Sequence, residues 1–175
     1  GRLGTELLSA VFADAGFHVA NHPPADESVL KLGRAHTTCK ECLPLILTSG
    51  TLLDYAYNFK RADEILVYFM ASASGPCRFG QYGIYMQDLI RRLEIPDVAV
   101  FSLTADDTYL GIEDQLNIYK AWWAISISDM MEDVRAMLLT VAADPEDAMK
   151  RFNSNWGAIV REMRVGDEKS IFTRL

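Results

Sequence analysis

The sequence predicts an α/β protein: a flavodoxin-like parallel sheet with helices on both faces, followed by a helical C-terminal extension. Two apolar runs, at 64–70 and 97–101, are nearly continuous, as in strands buried on both faces. Stretches of helical periodicity alternate with them, the order expected of parallel strands joined by crossover helices. From Gln115 onward the pattern is helical only. These observations divide the chain into a cysteine-bearing α/β domain at 1–108 and a helical extension at 109–175. A strand ahead of residue 1 would complete the first unit, so the α/β domain is expected to be truncated at its N-terminal strand.

Thr5 is the expected cap of a first helix carrying Leu7, Leu8, Val11 and Phe12 on one face, with Gly16 as its C′ residue. Residues 17–20 read as a short strand, stopped by Pro23 and Pro24, which offer no N–H to a ladder. A short helix is expected from Asp26, carrying Val29, Leu30 and Leu32 and closed by Gly33. Pro44 then sits near the first turn of another helix, where its missing N–H costs nothing. That helix has Leu45, Ile46, Leu52, Leu53 and Tyr57 as apolar positions and Gly50 as a weak point. Residues 72–77 form the exit loop of the first clear strand. Residues 82–93 follow as a helix with Ile84, Tyr85, Leu89 and Ile90 inward, leading into the second strand. In the last part, Ile118, Trp122, Ile125, Met130, Val134, Met137, Leu138 and Val141 keep helical spacing. Asp144, Pro145, Glu146 and Asp147 then supply a cap, a first-turn proline and acids at the positive helix end. Trp156 and Ile159 continue that face.

Composition narrows the function. Half of the 175 residues are apolar and 23% are charged, enough for a core and unlike a disordered chain. The net charge is −7 and the pI about 4.9, the wrong sign for wrapping a phosphate backbone, so no nucleic-acid partner is expected. No apolar run approaches the roughly 18 residues of a spanning helix and no signal peptide is apparent, so the expectation is a soluble, cytoplasmic chain without a membrane partner. Residues 1–100 carry nine basic and eleven acidic side chains, residues 101–175 eight and thirteen, so the acidity concentrates in the helical part.

Three cysteines are too few for a disulfide scaffold. Cys39 and Cys42 form a C-x-x-C at the start of one helix, and Cys77 lies in the loop leaving a strand. Loops at the carboxyl ends of parallel strands line one crevice, and helix N-termini favour anions and lower thiol pKa values. Lys40 and Arg78, each beside a cysteine, push the same way. Thiolates meeting on a positive rim suit an iron–sulfur cluster first. Zinc held by the cysteines with His36 or His22 competes, as does a dithiol redox pair that leaves Cys77 idle, as do three unrelated half-buried thiols. Ser74, Gly75 and Gly80 around Cys77 fit either a loop approached by a ligand or a tight strand-to-helix turn. His18 and His22 read as structural, Met130, Met131 and Met137 as helix core, and Trp122 and Trp123 as divided between core and an interface.

The segment Gly33-Arg34-Ala35-His36-Thr37-Thr38-Cys39-Lys40-Glu41-Cys42-Leu43-Pro44 resembles one family signature. Ala73-Ser74-Gly75-Pro76-Cys77-Arg78-Phe79-Gly80-Gln81-Tyr82 resembles a second of the same group. These belong to the dehydratase-related region of the large 2-hydroxyacyl-CoA dehydratase activase proteins (CoA-substrate-specific enzyme activases). Residues 1–16 and Tyr109-Leu110-Gly111 are similar to it as well, so the likeness spans roughly 1–140. It implies kinship with 2-hydroxyacyl-CoA dehydratases and double-cubane cluster proteins, whose flavodoxin-like domains hold cysteine-ligated clusters. Cys39, Cys42 and Cys77 then become candidate ligands of a 4Fe-4S cluster prone to loss in air, with Lys40, Ser74, Gly75, Arg78 and Gly80 supporting the loop. The family often lacks cysteine at the position of Cys39, which ranks Cys42 and Cys77 ahead of it. ATP enters only through an activase ATPase region in cis or in trans, because no ATPase motif is present. An acyl-CoA or other small substrate, a dimer and an anaerobic electron-transfer role complete the expectation. The rival is a regulatory or interaction domain with zinc or inert cysteines.

Overall fold

The computed structural model describes residues 1–104 and 115–165, in two compact units. One unit comprises 22–113, the other 1–21 together with 114–175. The chain therefore divides differently from the 1–108 and 109–175 partition that the sequence predicts, because the first helix packs against the last two. The expected boundary at 108/109 and Tyr109-Leu110-Gly111 lie outside the described residues. Among the described residues the fold is mixed α/β and mostly helical, with a two-stranded parallel sheet.

The 22–113 unit starts with α2 (Glu27–His36), preceded in the chain by α1 (Arg2–Asp14) of the other unit. Asp26 caps α2, its carboxylate accepting from the N–H groups of Ser28 and Val29. α3 (Leu43–Asp54) crosses α2 closely: a Cβ on Gly50 would stand 2.2 Å from the Val29 carbonyl oxygen. Gly50, expected as a weak point, and Gly33, expected to close α2 but placed inside it with a would-be Cβ 2.0 Å from the Ile46 carbonyl oxygen, together let the two backbones touch. A π-helical turn (Tyr55–Phe59) ends α3, leaving Tyr57 exposed rather than in the core.

β1 (Leu66–Phe69) and β2 (Val98–Phe101) pair in parallel with Leu66 opposite Val98 and Phe69 opposite Phe101. The Ser72 N–H bonded to the Leu103 carbonyl and an isolated Ser72–Thr104 bridge prolong the ladder. A 3₁₀ turn (Arg78–Gln81) and α4 (Tyr82–Arg92) form the crossover. Leu66, Tyr68, Val98 and Val100 join Leu45, Leu52, Leu53, Met86 and Leu89 in one core. The opposite face stays open among the described residues, with Val67 58% and Ile65 74% exposed. Burial on both faces, expected from the continuous apolar runs, is therefore not what this sheet displays; alternate side chains face outward, as the period of two requires. On α4 the inward residues are Tyr82, Met86, Leu89 and Ile90, whereas Ile84 points to solvent.

Among its described residues the second unit has three helices and no strand: α1, α5 (Gln115–Val141) and α6 (Pro145–Val165). α1 begins before Thr5, whose hydroxyl bonds back to the Gly1 carbonyl within the helix instead of capping it. Residues 17–20 form no strand. The N–H of Phe17 bonds to the Phe12 carbonyl and that of Gly16 to the Ala13 carbonyl, and the two phenylalanine rings meet edge-on at 6.1 Å. That is a Schellman cap with its apolar clasp, so Phe17 finishes a helix rather than starting a strand. Asp144 caps α6 as expected, accepting from the N–H groups of Glu146 and Asp147.

The core of this unit joins Leu3, Leu7 and Val11 of α1 to Ala124 and Ile127 of α5 and Phe152 and Trp156 of α6. α5 turns Ala124, Ile127 and Ser128 inward, and Ser128 lies beside Gly4 of α1. Trp122, Trp123, Ile125, Met130, Val134, Met137 and Val141 are exposed, with only Met131 of the three expected core methionines packed inward. The reason is that α5 is apolar around most of its circumference, so periodicity does not identify the buried side. No helix among the described residues is long and apolar enough to cross a membrane.

Candidate thiol site

The cysteine motifs meet inside the 22–113 unit, at the start of α3 and the start of α4. Thr37 closes α2 with its hydroxyl on the Gly33 carbonyl, and the chain then turns through Thr38, Cys39, Lys40 and Glu41. The Glu41 N–H bonds to the Thr38 carbonyl at 3.2 Å and holds that turn. Cys42 is the N-cap of α3, its extended backbone leading into Leu43 and Pro44. Cys77 precedes the 3₁₀ turn in the same way. Between these turns stands Tyr82, buried at the first position of α4, its ring edge-on to Phe79 at 5.4 Å.

The Tyr82 hydroxyl lies 2.6 Å from the Cys42 sulfur. The phenol's pKa is pushed up to about 12, by burial first, then by its bond to Cys42 and by the nearby charges of Cys42 and Cys77. The Cys42 thiol is moved the other way, below its usual value, chiefly by the Tyr82 hydrogen bond and then by the Leu45 backbone N–H. Either group can donate across this contact, and a bond donated by the phenol is the one that favours the thiolate.

The loop around Cys77 has a backbone reason for its composition. A Cβ on Gly80 would stand 2.2 Å from the Ala73 carbonyl oxygen, and the Ser72 hydroxyl donates to the Gly80 carbonyl. Gly75 takes φ +150° at the exposed tip. Ser74 and Pro76 are exposed beside it. Arg78 reaches across to Glu41, at 3.9 Å, which ties the two cysteine turns together. Its charge is thereby shared with a carboxylate inside the first motif, while Lys40 projects into solvent. Glu41 and Tyr82 both escape a search restricted to soft metal ligands; the signal for each is its place inside a cysteine motif.

Not every candidate is gathered. All three cysteines are free thiols on exposed residues. Among the described residues no three His, Cys, Asp or Glu side chains are grouped to hold one metal ion, so Cys39 is not drawn into a set with Cys42 and Cys77. His22 bonds to Asp54 at 2.7 Å and to the Pro23 carbonyl, at the far end of α3 from Cys42. Twelve residues of helix separate those ends, roughly 18 Å, which removes His22 as a co-ligand of Cys42. The His36 carbonyl accepts from the Tyr85 hydroxyl, securing the end of α2. Cys42 and Cys77 are soft donors, but no three candidate ligands are gathered among the described residues, so the residues as placed do not complete an iron–sulfur or zinc site. No family model, curated protein or solved structure matches the chain.

Proposed function

We propose that the 22–113 unit is the cluster-bearing part of an iron–sulfur electron-transfer protein of the 2-hydroxyacyl-CoA dehydratase and activase group. In this reading β1, β2 and their crossover helix belong to a flavodoxin-like domain. The observation that carries the proposal is the 2.6 Å contact of the Cys42 sulfur with the Tyr82 hydroxyl, beside the Arg78–Glu41 pair that joins the turn before Cys42 to the turn after Cys77. These two thiolates would hold the cluster, with Cys39 as a third ligand after movement of its exposed turn. When bound, such a cluster supplies one-electron transfer at low potential. The residues of the chain do the rest. Tyr82 and the start of α3 favour a thiolate at Cys42, Gly80 permits the tight return of the loop, and Arg78 with Glu41 holds one cysteine turn against the other.

The electron would come from an ATP-hydrolysing activase region in cis or in trans, and an acyl-CoA or other small molecule would be the acceptor. A cytoplasmic, anaerobic setting and a paired assembly go with this proposal. Purification and reconstitution under argon, followed by iron, sulfide and zinc analysis, test it. The expected result is a brown protein bleached by oxygen, with iron and acid-labile sulfide lost in Cys42→Ser and in Cys77→Ser. Stoichiometric zinc without iron overturns the reading and favours the regulatory or interaction domain.

A further inference from the structure

α5 buries one side and leaves a second exposed. Ala124, Ile127 and Ser128 are buried toward α1 and α6. Tyr119, Trp123, Met130, Val134, Met137 and Val141 lie elsewhere on the helix, within roughly 60° of arc at 3.6 residues per turn. They are exposed to between 37 and 71% and form one apolar seam. At 1.5 Å per residue the seam runs about 33 Å along the helix. Single exposed apolar side chains are ordinary, but a continuous stripe of this length marks a surface that another chain covers.

The spacing of the seam identifies its occupant. Trp123 and Met137 stand seven positions to either side of Met130, and Tyr119 and Val141 stand four positions further out. Val134 alone lacks an apolar mate, its mirror position being the exposed Ser126. The pattern reads the same in both directions, as a two-fold contact requires, where residue i meets j and j meets i. An antiparallel pair of α5 helices with its axis at Met130 sets each Trp123 against a Met137 and each Tyr119 against a Val141. A bulky ring thus meets a slimmer aliphatic chain at both ends, and the helices keep one separation along the seam. A parallel pair would stack ring on ring at one end and valine on valine at the other. The seam offers roughly 600 Å² per copy, so about 1,200 Å² for the pair, the lower limit of specific interfaces.

We propose that α5 is the contact surface of a homodimer, two copies packed antiparallel along this seam about a two-fold axis at Met130. The inference stands on α5 alone and goes beyond the cysteine reading. Asp129 and Asp133 are exposed on one flank of the seam. The two-fold brings Asp129 beside Asp133 of the second copy, a like-charge contact that keeps the pairing reversible.

Analytical ultracentrifugation of the full chain tests it, metal-free and in dithiothreitol so that the free thiols cannot cross-link copies. Concentrations run up to about 100 μM, where even a weak specific contact is populated. The expected result is a reversible monomer–dimer equilibrium with nothing larger. Met130→Glu sets two carboxylates against each other on the axis and is expected to weaken the dimer by more than about tenfold. Leu139→Glu, 47% exposed on the same helix but off the seam, is expected to leave it unchanged. Asp133→Lys turns both repulsive rim contacts into attractive ones and is expected to tighten the dimer about fivefold. Circular dichroism establishes that the variants fold. Four outcomes would each overturn the inference: a chain that stays monomeric, assemblies that grow past two copies, a dimer as sensitive to Leu139→Glu as to Met130→Glu, or an Asp133→Lys that gains nothing. All four are independent of whether the cysteines take up iron.

Discussion

In the 22–113 unit two helices meet backbone against backbone, whereas in the helical unit α1, α5 and α6 meet through side chains as different as Ser128 and Trp156. The first arrangement cannot tolerate added atoms at the crossing, because a carbonyl oxygen cannot swing aside as a side chain can. The second depends on large residues filling space, and loses most when one is deleted. The thiol site lies in the unit with the stiff crossing. Cys42 opens the same helix that crosses α2 at Gly50, so the geometry of the sulfur is tied to the contact of two backbones.

The largest effect is expected from deletion in the helical unit. Trp156 is 2% exposed, and its indole N–H donates to Glu6 at 2.6 Å. Trp156→Ala removes both the volume and the bond, and is expected to cost about 3–5 kcal/mol, measured by chemical denaturation. A cost below about 1 kcal/mol would mean that α6 contributes little to this core.

The next test reverses the operation. Gly50→Ala puts a methyl group 2.2 Å from the Val29 carbonyl oxygen, so α2 and α3 must separate. The expected cost is about 3 kcal/mol, the upper part of the range for overpacking. The companion is Gly4→Ala in α1, where the new methyl group meets only the Ser128 hydroxyl at 3.4 Å. There the better helix propensity of alanine is expected to prevail, for a gain of about 0.5 kcal/mol. The same substitution thus changes sign between the units. Similar costs at both positions would erase the distinction drawn between them.

Much of this was legible in the sequence where local chemistry decides. Asp26 and Asp144 cap the helices they announce, and the two apolar runs bounded by polar, glycine or proline residues are strands. Where tertiary packing decides, the reading fails in specific ways. The apolar character of residues 17–20 looks like a strand, but the Phe12–Phe17 clasp uses it to end a helix. The inward face of α5 carries Ala124, Ile127 and Ser128, while its largest side chains, Trp122 and Trp123, are exposed. At the site, the sequence singles out the cysteines by type but passes over Tyr82, whose partner lies 40 residues away in the chain. Cys39 and Cys42 are equivalent as letters and unequal as neighbours, since only Cys42 caps α3 and bonds to the phenol.

That inequality sets up the smallest effect, one that leaves stability at neutral pH nearly unchanged. Tyr82 and the Leu45 N–H lower the Cys42 pKa in the folded chain. The folded protein therefore releases this proton at lower pH than the unfolded chain does. Its contribution to stability is fully present above the unfolded thiol's pKa and disappears as pH falls through the folded value. Alkylation of the reduced, metal-free protein with iodoacetamide across pH, read by peptide mass mapping, follows the thiolate directly. The pH midpoint for Cys42 is expected to lie lower in buffer than in concentrated urea, and Tyr82→Phe is expected to move the folded midpoint back toward the urea value. Coincident midpoints in buffer and urea would mean that the phenol does not hold the Cys42 sulfur in solution, and the stiff unit would then lose the one chemical property that separates its cysteines.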